Sequence, residues 1–298
     1  MVRLSVVIVN YGALDIVTPC LESLAADSNS GLIEVILVDN GTPSFSANEL
    51  QSKFRWVHII ACSENRGFAA GCNIGIRDSQ GEYLLLLNPD TRIPKGTLRT
   101  MADYMAANPD VGAATCRVNL SNGSLDPACH RGFPTPWASL CYFLGLEKLL
   151  PMSRLFGRYH LTYEDLEMAH EIDAPSGCFF IVRRSVVETV GLLDEEFFLY
   201  GEDIDWAMRI KEAGWKIMFN PAVSIVHLKG MASGIKLQTT NSINSLHSER
   251  ERAYHAFFEA MRIFYRKHYR SRYPFFVGWL VSAAISIREK LGHGKKTV

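Results

Sequence analysis

Apolar residues come in short unbroken runs along the first third of the chain. LSVVIV (4–9), EVILVD (34–39), WVHIIA (56–61) and EYLLLLN (82–88) lack polar alternation, as strands covered on both faces do. Between them the period lengthens to that of helices. Ile16, Cys20, Leu21 and Leu24 share one face of a helix whose first turns hold Pro19. AAGCNIGIRDS (69–79) predicts a short glycine-containing helix and KGTLRTMADYMAA (95–107) an amphipathic one, and VGAATC (111–116) predicts a fifth strand. Strand–helix alternation with short connections predicts an α/β, doubly wound, mostly parallel sheet with right-handed crossovers. Such sheets bind ligands outside the carboxyl ends of their strands. Asn10-Tyr11, Asp39-Asn40 and Asn88-Pro89-Asp90 stand there.

The rhythm breaks over 117–172, a stretch rich in turn formers and aromatics. It resumes with CFFIVRR (178–184), a helix near 185–190, two strands at 215–219 and 223–227, and a long helix over about 245–268. The tail around 273–290 has an apolar stretch shorter than the ~20 residues of a membrane span. The first apolar run, followed by Asn-Tyr-Gly, reads as a buried strand rather than a signal segment.

Composition narrows the classes. The 298 residues carry 31 Lys+Arg and 31 Asp+Glu, so no global positive field exists to attract nucleic acid. Seven cysteines, none in CxxC spacing, argue against a zinc ribbon or a disulfide framework and for thiols in a reducing cytoplasm.

The acids carry the chemistry. FFLYGEDIDW (197–206) sets Glu202, Asp203 and Asp205 behind an aromatic lead-in. Acids in the first turn of a helix also complement its dipole, and that reading stands beside a catalytic one. A carboxylate walled by Phe197, Phe198 and Tyr200 would be partly desolvated and a better base. LLLLNPDT carries Asn88 and Asp90 to the sheet edge, where Asp90 either closes a proline turn or holds a hard cation. Asp39 is placed to meet ribose hydroxyls. The glycines at 67, 71 and 75 do not form GxGxxG, which disfavours a nicotinamide dehydrogenase. His227 closes the strand VSIVH as a satisfied histidine or as a partner of Asp90.

In order along the chain, SVVIVNYG, ILVDNGT, ENRGFAAGCNIGI, GEYLLLLNPDT, APSGCFFIVRR, GLLDEEFFLYGEDIDWAMRIKEAGW and VSIVH resemble the family-2 inverting glycosyltransferases of GT-A (nucleotide-diphospho-sugar transferase) fold. The similarity is greatest to the branch with rhamnosyl- and galactofuranosyltransferases. The resemblance implies a catalytic domain over 1–235, with a nucleotide-sugar half (1–116) and an acceptor half (117–235), and a helical extension over 236–298. It implies Asp90 and His227 as ligands of Mg²⁺ or Mn²⁺ and Asp203 as the base. It assigns Asn10, Tyr11, Asp39, Asn65, Gly67, Asn73 and Asn88 to the donor. Asn88 stands where the family's DxD pattern begins with Asp. Glu202 and Trp137 are expected at the acceptor, with Arg131, Tyr142 and Phe143 nearby.

The implied partners are a nucleotide-sugar donor, dTDP-rhamnose or a UDP-sugar, and a glycan or polyprenyl-linked acceptor. A homodimer is compatible with this picture. The expected place is the cytoplasm, and one reading of the tail puts Arg266, Lys267, Arg270 and Arg272 against anionic lipid at the inner membrane. A nucleotidyltransferase would need a Gly-rich basic loop after the first strand, and NYGALD has none. A sugar-nucleotide-binding protein without catalysis would show neither donor hydrolysis nor transfer. A glycoside hydrolase would need two carboxylates flanking one bond.

Overall fold

The computed structural model describes residues 3–228, apart from Ala13 and Ser44, and residues 243–294. The expected domain boundary at 235 lies outside the described residues. Strands β1 (Leu4–Asn10), β2 (Ile33–Asp39), β3 (Val57–Ala61), β4 (Tyr83–Leu87), β5 (Thr91–Arg92), β6 (Val111–Leu120), β7 (His170–Glu171), β8 (Phe179–Arg183) and β9 (Lys216–His227) form one sheet. Helices α1 (Leu14–Asn29), α2 (Ala47–Lys53), α3 (Phe68–Asp78) and α4 (Thr97–Ala107) connect its first half. Helices α5 (Pro136–Phe143) and α6 (Leu146–Leu149) lie in the irregular stretch, and α7 (Arg184–Val190) and α8 (Glu202–Glu212) follow β8. Helices α9 (Ile243–Phe264) and α10 (Phe275–Gly294) end the described chain, with a π-helical turn at Tyr265–Tyr269 between them.

The strand order is β3-β2-β1-β4-β8-β6-β9-β5, with β7 on β9. The first four strands are parallel, as the unalternating apolar runs predict. The second half is mixed. β8 runs antiparallel to both β4 and β6, while β9 is parallel to β6. The reason lies in residues 121–178, which contain no helix long enough to cross the sheet. The chain therefore stays at the carboxyl end of β6 and enters β8 from that same end. Gly177 and Cys178 are thus delivered to the ligand edge. The two strands expected at 215–219 and 223–227 are one, bent where the pairing of β6 with β9 shifts register around Pro221.

Tyr83, Phe179, Phe180, Trp206 and Phe219 are the largest fully buried side chains of the main core. Each such side chain contributes roughly 1.5–3 kcal/mol on burial. A second cluster of Phe197, Met208, Ala260, Ile263, Phe264 and Tyr269 docks α9 and the π-turn onto α8. Phe197, expected as a wall beside the acids, belongs to this cluster.

Asp205 locks the same junction. It is fully buried, 2.7 Å from both Lys267 Nζ and His268 Nε2, and it accepts from Arg209 Nε at 3.0 Å. Burial opposes its charge, but these donors outweigh it and hold the carboxyl at about 2. Losing one member of such a buried group costs about 3–5 kcal/mol, so Asp205→Asn is expected to lower the melting temperature clearly at neutral pH. The folded-state pKa is depressed, so the stabilisation is fully present above the ordinary value of 3.8 and is lost as pH falls through about 2. The gap between the variant and the natural protein should therefore close with acidification over that window in thermal unfolding.

Three of the four basic residues expected to face lipid are turned to protein instead. Arg266 pairs with Glu196, Lys267 with Asp194 at 2.6 Å and with Asp205, and Arg272 with Glu212. α10 exposes the large apolar residues Phe275, Phe276, Trp279, Leu280, Ile287 and Leu291, with Arg288 and Lys290 near its end. Among the described residues no helix is long and apolar enough to cross a membrane.

Candidate active site

At the carboxyl end of β1 and β2, backbone pairing sets Asn10 beside Asp39. Asn10 Nδ2 donates to Asp39 Oδ1 at 3.2 Å, and Thr42 N–H donates to Asp39 Oδ2 at 3.1 Å. Tyr11 follows, half-buried. A carboxylate has about four acceptor positions, so Asp39 keeps capacity for a ligand while shaping this loop. Asn40 ties the loop to the next, donating to Asn65 Oδ1 at 3.1 Å and to Gly67 O at 2.9 Å. Asn65 Oδ1 also accepts the Gly67 N–H at 3.0 Å.

Gly67 starts α3 with φ +89°, and a Cβ there would stand 2.5 Å from Phe198 O. Only glycine lets α3 pack this closely on the aromatic lead-in to the acids. Asn73, assigned to the donor by resemblance, has a different occupation here. It is 1% exposed, and its amide is taken up by Leu193 O, Leu193 N and Glu195 Oε1 at 2.9–3.0 Å. It clamps α3 to the 193–195 loop.

The second half supplies the charged centre. β5 pairs antiparallel with β9, setting Thr91 opposite His227. Asp90 precedes Thr91 and is 1% exposed, and its Oδ1 lies 3.2 Å from His227 Nε2. Asn88 stands two residues earlier, its N–H bonded to Cys178 O at 3.1 Å. The other ring nitrogen of His227, Nδ1, donates to Asp126 Oδ2 at 3.1 Å, which fixes the ring plane. Burial opposes a charge on His227, but Asp126, Asp90 and the Cys178 thiol outweigh it and hold the imidazole well above its ordinary range. Asp126 was not legible as a site residue, and it also caps the short turn at Pro127–Cys129.

Two carboxylates around one imidazole favour a cation between them, a proton or a metal ion. Ligands at right angles on an ion bound at ~2.1 Å stand about 3 Å apart, close to the Asp90–His227 separation of 3.2 Å. A carboxylate oxygen and an imidazole whose far nitrogen is held by a second carboxylate fit Mg²⁺ or Mn²⁺. Asp90 and His227 could hold such an ion if a ligand and water supplied the remaining positions. Among the described residues, no group of three or more His, Cys, Asp or Glu side chains forms a cage for a metal by itself.

Asp203 joins this centre through β8. Its Oδ2 accepts the Gly177 N–H at 3.2 Å, and the next residue, Cys178, lies against His227. Arg131 Nη2 donates to the same Oδ2 at 2.9 Å and to Pro175 O at 2.9 Å. Oδ1 accepts Ile204 N–H at 2.8 Å. Three of about four acceptor positions are taken, leaving one for an incoming hydroxyl. Burial opposes the Arg131 charge, and Asp203 outweighs it. Arg131 comes from the irregular stretch, where no motif singled it out as a partner of Asp203.

Glu202 beside it is 5% exposed, and its Oε2 is buried with no hydrogen-bond partner. Burial first, and then the Asp203 charge, push its carboxyl up to about 8. Environment thus separates the two acids: Glu202 is buried and protonated at neutral pH, while Asp203 is paired with Arg131. Gly201 (φ +83°) and Tyr200 (φ +71°) make the left-handed turn that starts α8 and sets Asp203 against Gly177. Trp137 lies half-exposed on α5, its indole N–H donating back to Leu155 O at 3.0 Å. No contact ties it to the acids.

This sheet, with acids at its carboxyl edge, is a GT-A-like fold. It aligns with the crystal structure of GalNAc-T7 with UDP, GalNAc and Mn²⁺ (TM-score 0.57, 14% identity, 92% of this chain and 58% of that one). It also aligns with the mannosyltransferase PcManGT from Pyrobaculum calidifontis in complex with GDP-Man and Mn²⁺ (TM-score 0.54, 17% identity, 95% and 69%). The chain belongs to Glycosyl transferase family 2, whose model matches residues 5–191.

Among curated relatives it is similar to the low-salt glycan biosynthesis hexosyltransferase Agl10 of Haloferax volcanii (28% identity; 75% of this chain, 66% of that one). It is similar to the N-acetylglucosaminyl-diphospho-decaprenol L-rhamnosyltransferase of Mycobacterium tuberculosis (25%; 68% and 68%). It is also similar to rhamnosyltransferase WbbL of Escherichia coli K12 (26%; 74% and 82%). The matched stretch spans about two thirds of the first two proteins.

Proposed function

We propose that the protein transfers a sugar from a nucleotide-diphospho-sugar, with inversion, to a hydroxyl of a glycan or lipid-linked glycan during polysaccharide synthesis. dTDP-rhamnose is the favoured donor, because similar proteins are named rhamnosyltransferases. The observation that carries the reading is the convergence of Asp90, His227 and Asp203 around Gly177-Cys178.

The β1 and β2 loops, with Asn10, Tyr11 and Asp39, receive the nucleoside. Asn65 and Gly67 shape the floor between it and the acids. Asp90 and His227 would hold a divalent ion, which would supply charge neutralisation for the leaving diphosphate. Asp126 keeps the His227 ring oriented through Nδ1. Asn88 is the donor-side neighbour of that pair. Asp203 accepts the proton of the acceptor hydroxyl at its remaining lone pair. Arg131 fixes that lone pair in direction through its bond to Oδ2. Neutral Glu202 can donate a hydrogen bond to the acceptor, which gives its buried Oε2 a partner. A hydrolase reading would need a second carboxyl across the scissile bond, whereas Glu202 and Asp203 are chain neighbours on one side.

The test is a thermal-shift panel of nucleotides and sugar nucleotides with and without Mn²⁺. Ligands that bind only the native state raise the melting temperature, by about 2.7 kcal/mol of added stability at a hundredfold excess over Kd. A dTDP or UDP compound should shift it, and more so with Mn²⁺. Indifference to every sugar nucleotide would overturn the reading.

The lipid-linked acceptor is supported by the apolar faces of α10 and α5. Phe275 and Trp279 are 91% and 71% exposed, and Arg288 lies 4.5 Å over the Phe143 ring, joining the two helices. Peripheral contact with a bilayer would cover them. Phe275→Ser with Trp279→Ser is expected to reduce flotation with liposomes. Equal flotation of the double variant and the natural protein would remove the membrane from the proposal.

A further inference from the structure

A cavity of about 510 Å³ opens on the flank of α8, and the chemistry above leaves it unassigned. Phe133, Tyr269 and Tyr273 give it aromatic surface, and Lys211, Glu212 and Arg272 give it polar groups. Tyr269 is the informative member. The residue is 4% exposed, and its hydroxyl is buried with no hydrogen-bond partner. Burial pushes the phenol up from its ordinary range, so it remains a hydroxyl able to donate and accept. A buried hydroxyl without a partner is unfavourable, and a polar ligand in the cavity would supply one.

The cavity lies further along α8 than Asp203: its lining residues Met208, Lys211 and Glu212 are five, eight and nine positions on, a rise of about 8–14 Å. Arg131 bonds Asp203, and two residues further on Phe133 lines the cavity. Two residues of chain span at most about 7 Å. An acceptor of two or more sugar rings with its end hydroxyl at Asp203 is long enough to reach this space.

The lining also selects a chemical class. Both cations are already paired, Arg272 with Glu212, and Lys211 with Glu171 and Asp173 at 2.6 and 3.3 Å. That leaves little net charge for a phosphate. Aromatic faces beside paired donors and acceptors suit a neutral ring with an apolar face and a rim of hydroxyls. We propose that the cavity is a subsite for a neutral sugar ring of the acceptor, held by Phe133, Tyr269, Tyr273 and the Arg272–Glu212 pair, one or more rings away from the hydroxyl that reacts at Asp203. The assignment rests on the transferase reading for its role, but not for its chemistry.

Methyl glycosides of glucose, galactose, rhamnose and N-acetylglucosamine, titrated into the full chain by saturation-transfer NMR and calorimetry, test it. At least one should bind with millimolar Kd or tighter, and Tyr269→Phe and exposed Arg272→Gln should each weaken it about tenfold. Failure of every glycoside to bind, or equal affinity in both variants, overturns the assignment. Donor binding with Mn²⁺ in the same samples separates the two readings. Donor bound without any glycoside defeats the cavity alone. Glycoside binding that the variants weaken, with no donor bound, defeats the transferase reading alone.

Discussion

Asp203→Asn is expected to cut sugar transfer by about 10²–10⁴-fold, the usual contribution of a positioned general base. The amide keeps the volume and can still accept from Arg131 and Gly177, whose bonds to the native carboxylate measure 2.9 and 3.2 Å. It cannot take a proton. Nucleotide-sugar affinity should stay within a few-fold if, as proposed, the residue serves the acceptor rather than the donor. The loss should therefore fall on kcat with the donor KM nearly unchanged, which marks an interaction made chiefly in the transition state. Near-normal turnover would move the base elsewhere. Glu202 would not simply replace it, since burial keeps that carboxyl protonated up to about 8.

The second large effect is expected at the other end of the reacting bond. Asp90→Asn replaces one of the two carboxylates on His227, the one whose oxygen lies 3.2 Å from Nε2. Isothermal titration of Mn²⁺ in the presence of nucleoside diphosphate should show affinity lowered by at least tenfold, with transfer lowered by two or more orders of magnitude. Removing a buried charge that faces a protonatable imidazole is not neutral for the fold, so the titration is informative only with a melting temperature measured alongside. Asp126→Asn separates the effects. It keeps an acceptor for the Nδ1–H while removing charge, and outer partners of this kind change affinity by about 10–100-fold. Unchanged Mn²⁺ affinity in Asp90→Asn would sink the proposed metal site.

Much of the site could be read from the chain because its parts sit at strand ends. The unbroken apolar runs name the strands, and the polar residue that ends each run marks the ligand edge. Asn10, Asp39 and Asp90 follow from that logic. What could not be read is equally specific. The sequence reading expected a mostly parallel sheet, which holds in the longest pairings, but did not name β8 as an antiparallel member, and it expected two strands at 215–227 where β9 is one bent strand. Local period reports neither direction nor continuity across a bulge. Arg131 and Asp126 sit in the irregular stretch, where their residue types are indistinguishable from surface charges. Asn73 looked like a ligand contact because it lies in a shared motif, but its amide closes on Leu193 and Glu195, 120 and 122 positions away.

The sequence by itself determined the class of fold, the strands of the first half, and the residue types that stand at their ends. These depend on local periodicity and on which side chains tolerate water, and both are properties of neighbours along the chain. Only the tertiary structure decided which of three adjacent acids is buried and protonated, which is paired with Arg131, and which is spent on anchoring the C-terminal helix. Those states depend on burial and on charges brought from segments 63 and 72 positions distant. A carboxylate's chemistry is set by what surrounds it in space, and periodicity carries no information about that.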